Sequence, residues 1–245
     1  MTCTWHLHFG RCQVAPALGM SHYRCAILQR EKQVMFTPDI PLRRQLSSPP
    51  VTPWLASDSL HRSILLIDIE GYSRPPRTNL IRGRLRESLY LLLDNAIGRL
   101  ELAASQYEVK DEGDGVLVLF RPDVPKNRLL HPLITDLVQG LVSHNLTAPE
   151  REQMRLRVVV HAGELLSDEH GYFGEDLDEA FGLVNSDSLR ACLAATTKPL
   201  VLLVTERIYQ GIVKHEPVGI DPAIYQQVGV SVKEKKIYAW LQVPP

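Results

Sequence analysis

The stretch from Ser63 to Ser73, SILLIDIEGYS, constrains the fold of this chain more than any other. Ile64 to Ile67 and Ile69 are apolar around a single acid, Asp68, and Glu70, Gly71, Tyr72 and Ser73 follow. A run this rich in leucine and β-branched residues predicts a strand buried on both faces. A carboxylate near the end of such a strand is costly unless a cation meets it. Gly71 permits a sharp turn, after which the next amides, at Gly71 and Tyr72, can face an anion. The same residues also suit a plain strand end whose acid caps the following turn.

A second acid sharpens the choice. Glu108 to Phe120, EVKDEGDGVLVLF, predicts a hairpin that turns at Gly113-Asp114-Gly115 and runs into the apolar strand Val116 to Phe120. Acid-glycine turns are common, so Asp114 alone proves nothing. Together with a strand-borne Asp68 it makes a two-carboxylate site for a hard divalent cation. Mg²⁺ uses one or two protein carboxylates and fills its other positions with water and phosphate oxygens. Two such ions can stabilise both the attacking and leaving oxygens of phosphoryl chemistry.

The 245 residues suffice for one large domain or a domain with a tail. A hydrophobic content of 44% and charged content of 22% suit a globular protein. The formal net charge of -1 sets up no field that draws the chain to nucleic acid or anionic lipid. No apolar run reaches the roughly 20 residues of a membrane span, and the N-terminus lacks a signal-peptide core. The expectation is a cytoplasmic protein without nucleic-acid or membrane partners. Cys3, Cys12, Cys25 and Cys192 form neither a disulfide framework nor a zinc pattern, although Cys3, His6, His8 and Cys12 are metal-ligand types.

Residues 1–61 show no sustained period and read as a poorly structured extension. Ser47 to Pro53 is an extended linker, a weak apolar segment spans Tyr23 to Phe36, and Met20 is an alternative start. From Arg62 onward, periodicity predicts a helix over about 80–103 and, after the hairpin, a second over 126–145 with Pro132 in its first turn. A strand from Met154 runs on through His161, and Tyr172-Phe173-Gly174 leads into a helical pattern over 176–195 with a possible break at Asn185-Ser186. A strand at 200–204 follows, then a short helix capped by Thr205, then strands at about 225–232 and 235–243. The opening β-α-β-β-α-β order is the ferredoxin-like unit. The expected fold class is α+β, a mixed and mainly antiparallel sheet with helices on one face.

In this order the motifs resemble those of the class III nucleotidyl (adenylate/guanylate) cyclase homology domain over residues 62–242, with a domain assigned to 62–245. Asp68-Ile69-Glu70-Gly71-Tyr72-Ser73 is similar to that family's first metal motif, and Lys110 to Gly115 (KDEGDG) to its hairpin motif. Arg157 to Gly163 (RVVVHAG) resembles its central strand, Phe173-Gly174 its aromatic-glycine pair, and Val232 to Lys235 (VKEK) its closing V-K-G-K. The resemblance implies a nucleoside triphosphate ligand and a two-metal Mg²⁺ or Mn²⁺ site on Asp68, Asp114 and the Ile69 carbonyl. It also implies that Lys110 touches the base and Lys235 the phosphate, and that a homodimer or heterodimer forms.

The chain also departs from the pattern. Gly171 stands where the base-selecting acid is expected. Asp178 replaces the ribose-positioning asparagine, and Gly182 replaces the arginine that meets developing charge. Losing one such donor costs about 10²- to 10³-fold in rate. Arg190 lies two helical turns further on. No catalytic residue is therefore assigned. The expectation is a nucleotide- and metal-binding domain of weak or lost cyclase activity that signals by dimerising. The alternative is an active cyclase, forming a 3′,5′-cyclic nucleotide and pyrophosphate, whose site a partner chain completes. His161 is expected to be a hydrogen-bonded structural residue, Trp240 core, and Arg74 and Arg77 solvated. Lys233, Lys235 and Lys236 also suit a solvated hairpin edge.

Overall fold

Strand β1 (Leu60–Ile69) lies between β3 (Gly115–Phe120) and β4 (Leu156–Asp168), antiparallel to both, and every residue from Ser63 to Ile69 is buried. Its composition follows from that place, because a strand covered on both faces has no use for alternating polarity. The computed structural model describes residues 58–244 apart from Glu234. The Cys3/His6/His8/Cys12 set, Met20, the 23–36 segment and the 47–53 linker lie outside the described residues.

The remaining strands are β2 (Tyr107–Asp111), β5 (Gly171–Phe173), β6 (Leu200–Thr205), β7 (Gln226–Val232) and β8 (Lys235–Gln242). The sheet runs β2-β3-β1-β4-β6-β8-β7, with β5 folded back on the end of β4. Among the described strands only the β4–β6 pair is parallel. The fold is the expected α+β class with a mixed, mainly antiparallel sheet.

Strand alternation divides the core in two. Leu65, Ile67 and Ile69 point to one face, where α1 (Asn79–Gly98) and α2 (Ile134–Thr147) pack. Ile64 and Leu66 point to the other, beneath α3 (Glu175–Val184) and α4 (Asp187–Ala194). The expectation of helices on one face therefore holds only for the two helices of the β-α-β-β-α-β unit; the later pair covers the opposite face, because Ile64, Leu66 and their neighbours make that face apolar as well. Among the described residues no helix is long and apolar enough to cross a membrane.

Local differences from the sequence-based expectation have identifiable causes. The helix expected over 126–145 is interrupted: a turn at Lys126–Arg128 widens through Leu129–Leu133, and regular helix starts at Ile134. Pro132 is the reason. Its ring bars the preceding residue from helical geometry, and His131 is extended (φ −148°, ψ 122°). The break at Asn185-Ser186 is present, and the Ser186 hydroxyl caps α4 by accepting from the Leu189 N–H. Thr205 precedes α5 (Glu206–Gly211) without capping it by its side chain. Its hydroxyl lies 3.0 Å from His161 Nδ1 instead. A buried imidazole left without partners costs more than a helix-start amide that water can reach.

His161 is 2% exposed, and its Nε2 lies 3.4 Å from Asp176 Oδ1. Burial holds its pKa below the ordinary 6.5, with Asp176 opposing that shift. The unfolded chain therefore takes up a proton at a higher pH than the folded one. Stability from this residue is complete above about pH 6.5 and is lost as pH falls through the lowered folded value. The unfolding free energy should decline there by at most about 1.4 kcal/mol per pH unit. Urea titrations of His161→Gln should show that limb flattened; equal slopes in the two proteins would refute the assignment.

Candidate functional site

Asp68 lies near the carboxyl end of β1, on the face that carries α3 and α4, and is 8% exposed. Its register neighbours are Gly115 on β3 and Arg157 on β4. Arg157 answers the need of a buried carboxylate for a cation. Its Nε and Nη2 donate to Asp68 Oδ2 at 2.9 and 2.5 Å. Oδ1 has no partner among the described residues. Burial raises the Asp68 pKa more than Arg157 lowers it, and the Asp114 charge adds to the rise. Arg190 is near enough to lower it slightly.

Asp114 reaches this point through a close backbone approach. A Cβ on Gly115 would stand 2.2 Å from the Ile67 carbonyl oxygen, so only glycine lets β3 come so near β1. The Ile69 N–H donates to the Asp114 carbonyl at 3.0 Å and closes the hairpin on the end of β1. The Asp114 side chain itself is exposed. Asp111 braces the turn by accepting from the Gly113 N–H at 2.8 Å. Arg86 of α1 grips Asp111 with both terminal nitrogens and also donates to the Gly113 carbonyl.

The turn after β1 is held in the same way. Gly71 adopts φ +62°. Arg77 donates to the carbonyls of Glu70 and Gln153 at 2.7 and 2.9 Å. Arg77 is therefore spent on backbone and is not solvated, because two carbonyls left by the turn need a donor. The Tyr72 N–H turns back to the Ile69 carbonyl at 3.3 Å. That carbonyl, a candidate ligand, is thus shared with the turn. Among the described residues the N–H groups of Gly71 and Ser73 have no partner.

Asp68 and Asp114 come within electrostatic reach of each other. No group of three or more histidine, cysteine or acidic side chains converges among the described residues. Two carboxylates, one with a free oxygen, fit Mg²⁺ or Mn²⁺, which keep water and phosphate oxygens as their other ligands. They do not make the closed site of a structural metal.

The other candidates lie elsewhere. Lys110 Nζ is 3.2 Å from Glu108 and 5.8 Å from the Tyr172 ring centre. Lys235 lies 3.8 Å from Glu175, and Lys233 2.8 Å from Asp178, so the first turn of α3 is tied to the β7–β8 turn. Among the described residues neither Lys110 nor Lys235 pairs with Asp68 or Asp114. Gly182 faces β7, and a Cβ there would stand 2.1 Å from Val232 Cγ1. Trp240 stacks on Tyr209 at 3.4 Å and packs against the α1/α2 core.

This architecture matches solved structures. A crystal structure of an adenylate/guanylate cyclase/hydrolase from Silicibacter pomeroyi superposes with a TM-score of 0.55 at 21% identity. The match covers 77% of this chain and 99% of that one. The guanylyl cyclase domain of the RhoGC fusion protein from the aquatic fungus Blastocladiella emersonii gives 0.50 at 16% identity, covering 77% and 97%. A bacterial light-regulated adenylyl cyclase gives 0.53 at 13%, with 77% of this chain matched to 53% of that longer one. The fold is that of a class III adenylate/guanylate cyclase catalytic domain. No protein-family model matches the sequence, and a search of curated proteins returns no match.

Within this cyclase fold, sequence reasoning had not singled out three side chains. Arg157 stood in a quoted motif without a role; the demand of Asp68 for a cation was the signal that could have found it. Arg86 and Glu108 carried no such signal, because their partners Asp111 and Tyr172 are set by packing.

Proposed function

We propose that residues 62–245 form a cyclase-like domain that binds a nucleoside triphosphate together with a divalent cation. Cyclisation is weak or lost, and the domain signals by associating with a second copy or another cyclase-like chain. The observation that carries this reading is Asp68, a buried carboxylate with one oxygen held by Arg157, one oxygen free, and Asp114 in its field. Asp68 and Asp114, with the Ile69 carbonyl, would hold Mg²⁺ or Mn²⁺. Such an ion, when bound, offsets triphosphate charge and polarises its oxygens.

The chain's own groups then have distinct parts. Arg157 spends its Nε and Nη2 donors on Asp68 Oδ2 and holds that carboxylate in place. The Gly71 and Ser73 amides, without a partner among the described residues, belong to a glycine turn of the kind that can receive an anion. On α3 the balance is different. Asp178 places a carboxylate where a triphosphate would approach, and it already pairs with Lys233. Gly182 offers no donor for developing charge, and a missing donor costs about 10²- to 10³-fold in rate.

Titration calorimetry with Mn²⁺ and non-cleavable triphosphate analogues should show binding that Asp68→Asn weakens by about tenfold or more. Incubation with each of the four nucleoside triphosphates should yield traces of cyclic product at most. Sedimentation with and without nucleotide reads the association. Robust turnover that vanishes in Asp68→Asn would establish the active cyclase instead, and absence of any nucleotide binding would end both readings.

A further inference from the structure

His61 and Asp68 stand near opposite ends of β1, roughly 23 Å apart along an extended strand. Beside His61 a groove of about 660 Å³ opens between Ala162 of β4, α5 with the turn that follows it, and the turn at Pro125 to Asn127. That volume suits a small organic molecule. Its apolar lining includes Ala162, Ile208 and Ile212, which belong to the α1/α2 core or pack against it. Four basic side chains line the same groove, His61, Lys126, Arg207 and His215, and no acid among the described residues does. The nearest carboxylates are engaged: Glu164 with Ser59 and His61, and Asp176 with the Glu164 N–H, 3.7 Å from Arg207 Nη1.

Two of the cations have donors to spare. Lys126 is half-buried, yet its ammonium has no hydrogen bond or ion pair among the described residues. The exposed Arg207 is anchored at one corner, where Nη1 donates to the Ala162 carbonyl at 2.9 Å. Its Nε and Nη2, the two-donor edge of the guanidinium, have no partner among the described residues. Like charges gathered over apolar surface repel one another and lose hydration, and an anion offsets both costs.

We infer that this groove binds an organic carboxylate with an apolar body, the chemistry of a medium-chain fatty acid. The carboxylate accepts from Nε and Nη2 of Arg207 in parallel, and Lys126 adds a point charge. The apolar body lies against Ile208 and Ile212. A polyphosphate does not suit the groove, because oxygens pressed on isoleucine go unpaired. The inference does not rest on the nucleotide reading, which concerns the other end of β1.

The test is calorimetric titration of the full chain with decanoate, below its micelle-forming concentration and without Mn²⁺ or nucleotide. Decanoate should bind at one site. Decanol lacks the charge and butyrate lacks the apolar body, so each should bind at least about tenfold more weakly. Lys126→Gln and Arg207→Gln should each weaken decanoate by about tenfold. Arg207→Lys keeps the charge but loses the two-donor edge, and should weaken it too. Lys126→Gln should melt with the wild type, since Lys126 has no partner to lose, so weaker binding there is not a loss of fold. Decanol bound as tightly as decanoate, decanoate affinity unchanged in both glutamine variants, or no decanoate binding overturns the inference. Sedimentation with phosphatidylglycerol vesicles in place of binding to free decanoate overturns it as well, and would make the cations a lipid-facing patch. Asp68→Asn should bind decanoate as the wild type does; loss of binding there would place the decanoate elsewhere and overturn the inference.

Discussion

Asp68→Ala is expected to lower the unfolding free energy by about 3 to 5 kcal/mol, the cost of breaking a buried ion pair from one side. The side chains of Asp68 and Arg157 are 12% and 11% exposed, so neither charge is freely solvated. The raised pKa of Asp68 shows that burial outweighs the attraction of Arg157. A buried pair of this kind is weak evidence of net stability, because desolvation of both charges offsets their attraction. The loss comes from leaving the guanidinium buried without a counter-charge. Asp68→Ala/Arg157→Met should consequently recover most of it, since replacing both members of such a pair with apolar groups is often close to neutral. Urea denaturation of the wild type, both single variants and the double variant closes the cycle. A double variant as unstable as Asp68→Ala, or a single variant as stable as the wild type, would show that the two groups are not coupled.

Gly182→Arg is expected to destabilise the domain by about 2 kcal/mol and to restore no cyclase activity. A Cβ at this position would be 2.1 Å from Val232 Cγ1 and 3.2 Å from both Cβ and Cγ2. Overpacking of this kind costs about 1 to 3 kcal/mol, and the better helix propensity of arginine returns up to about 1 kcal/mol. The missing donor is thus more than a lost side chain, because β7 fills the space it would leave from. Val232→Ala should relieve the clash, so Gly182→Arg/Val232→Ala is expected to unfold at a temperature near that of Val232→Ala alone. Thermal melts and a cyclic-nucleotide assay check both halves. A fully stable Gly182→Arg variant that makes product would show that α3 can shift away from β7.

Much of the chain is legible without coordinates because its signals are local. The unbroken apolar run of β1, the glycine turn between β2 and β3 and the helical spacing of Leu85, Leu89 and Leu93 each report their own element. The pause at Asn185-Ser186 was equally visible, since Ser186 is a capping residue in the right place. Pro132 was legible in principle but was assigned to a first turn, whereas its effect falls on His131 before it. The two candidate acids could be named from their strand and hairpin. The partner of Asp68 could not, since Arg157 lies 89 positions away, nor could that of Asp178, since Lys233 lies 55 away.

The sequence by itself determined the order of strands and helices, the α+β class and the demand of a buried acid for a cation, because periodicity and burial act over a few neighbouring residues. Only the tertiary structure decided which cation meets Asp68, why glycine is needed at positions 115 and 182, and where the Thr205 hydroxyl is spent. Those outcomes depend on register across β1, β3, β4 and β6 and on the packing of α3 against β7, where separations of tenths of an ångström govern energy and no local pattern records them.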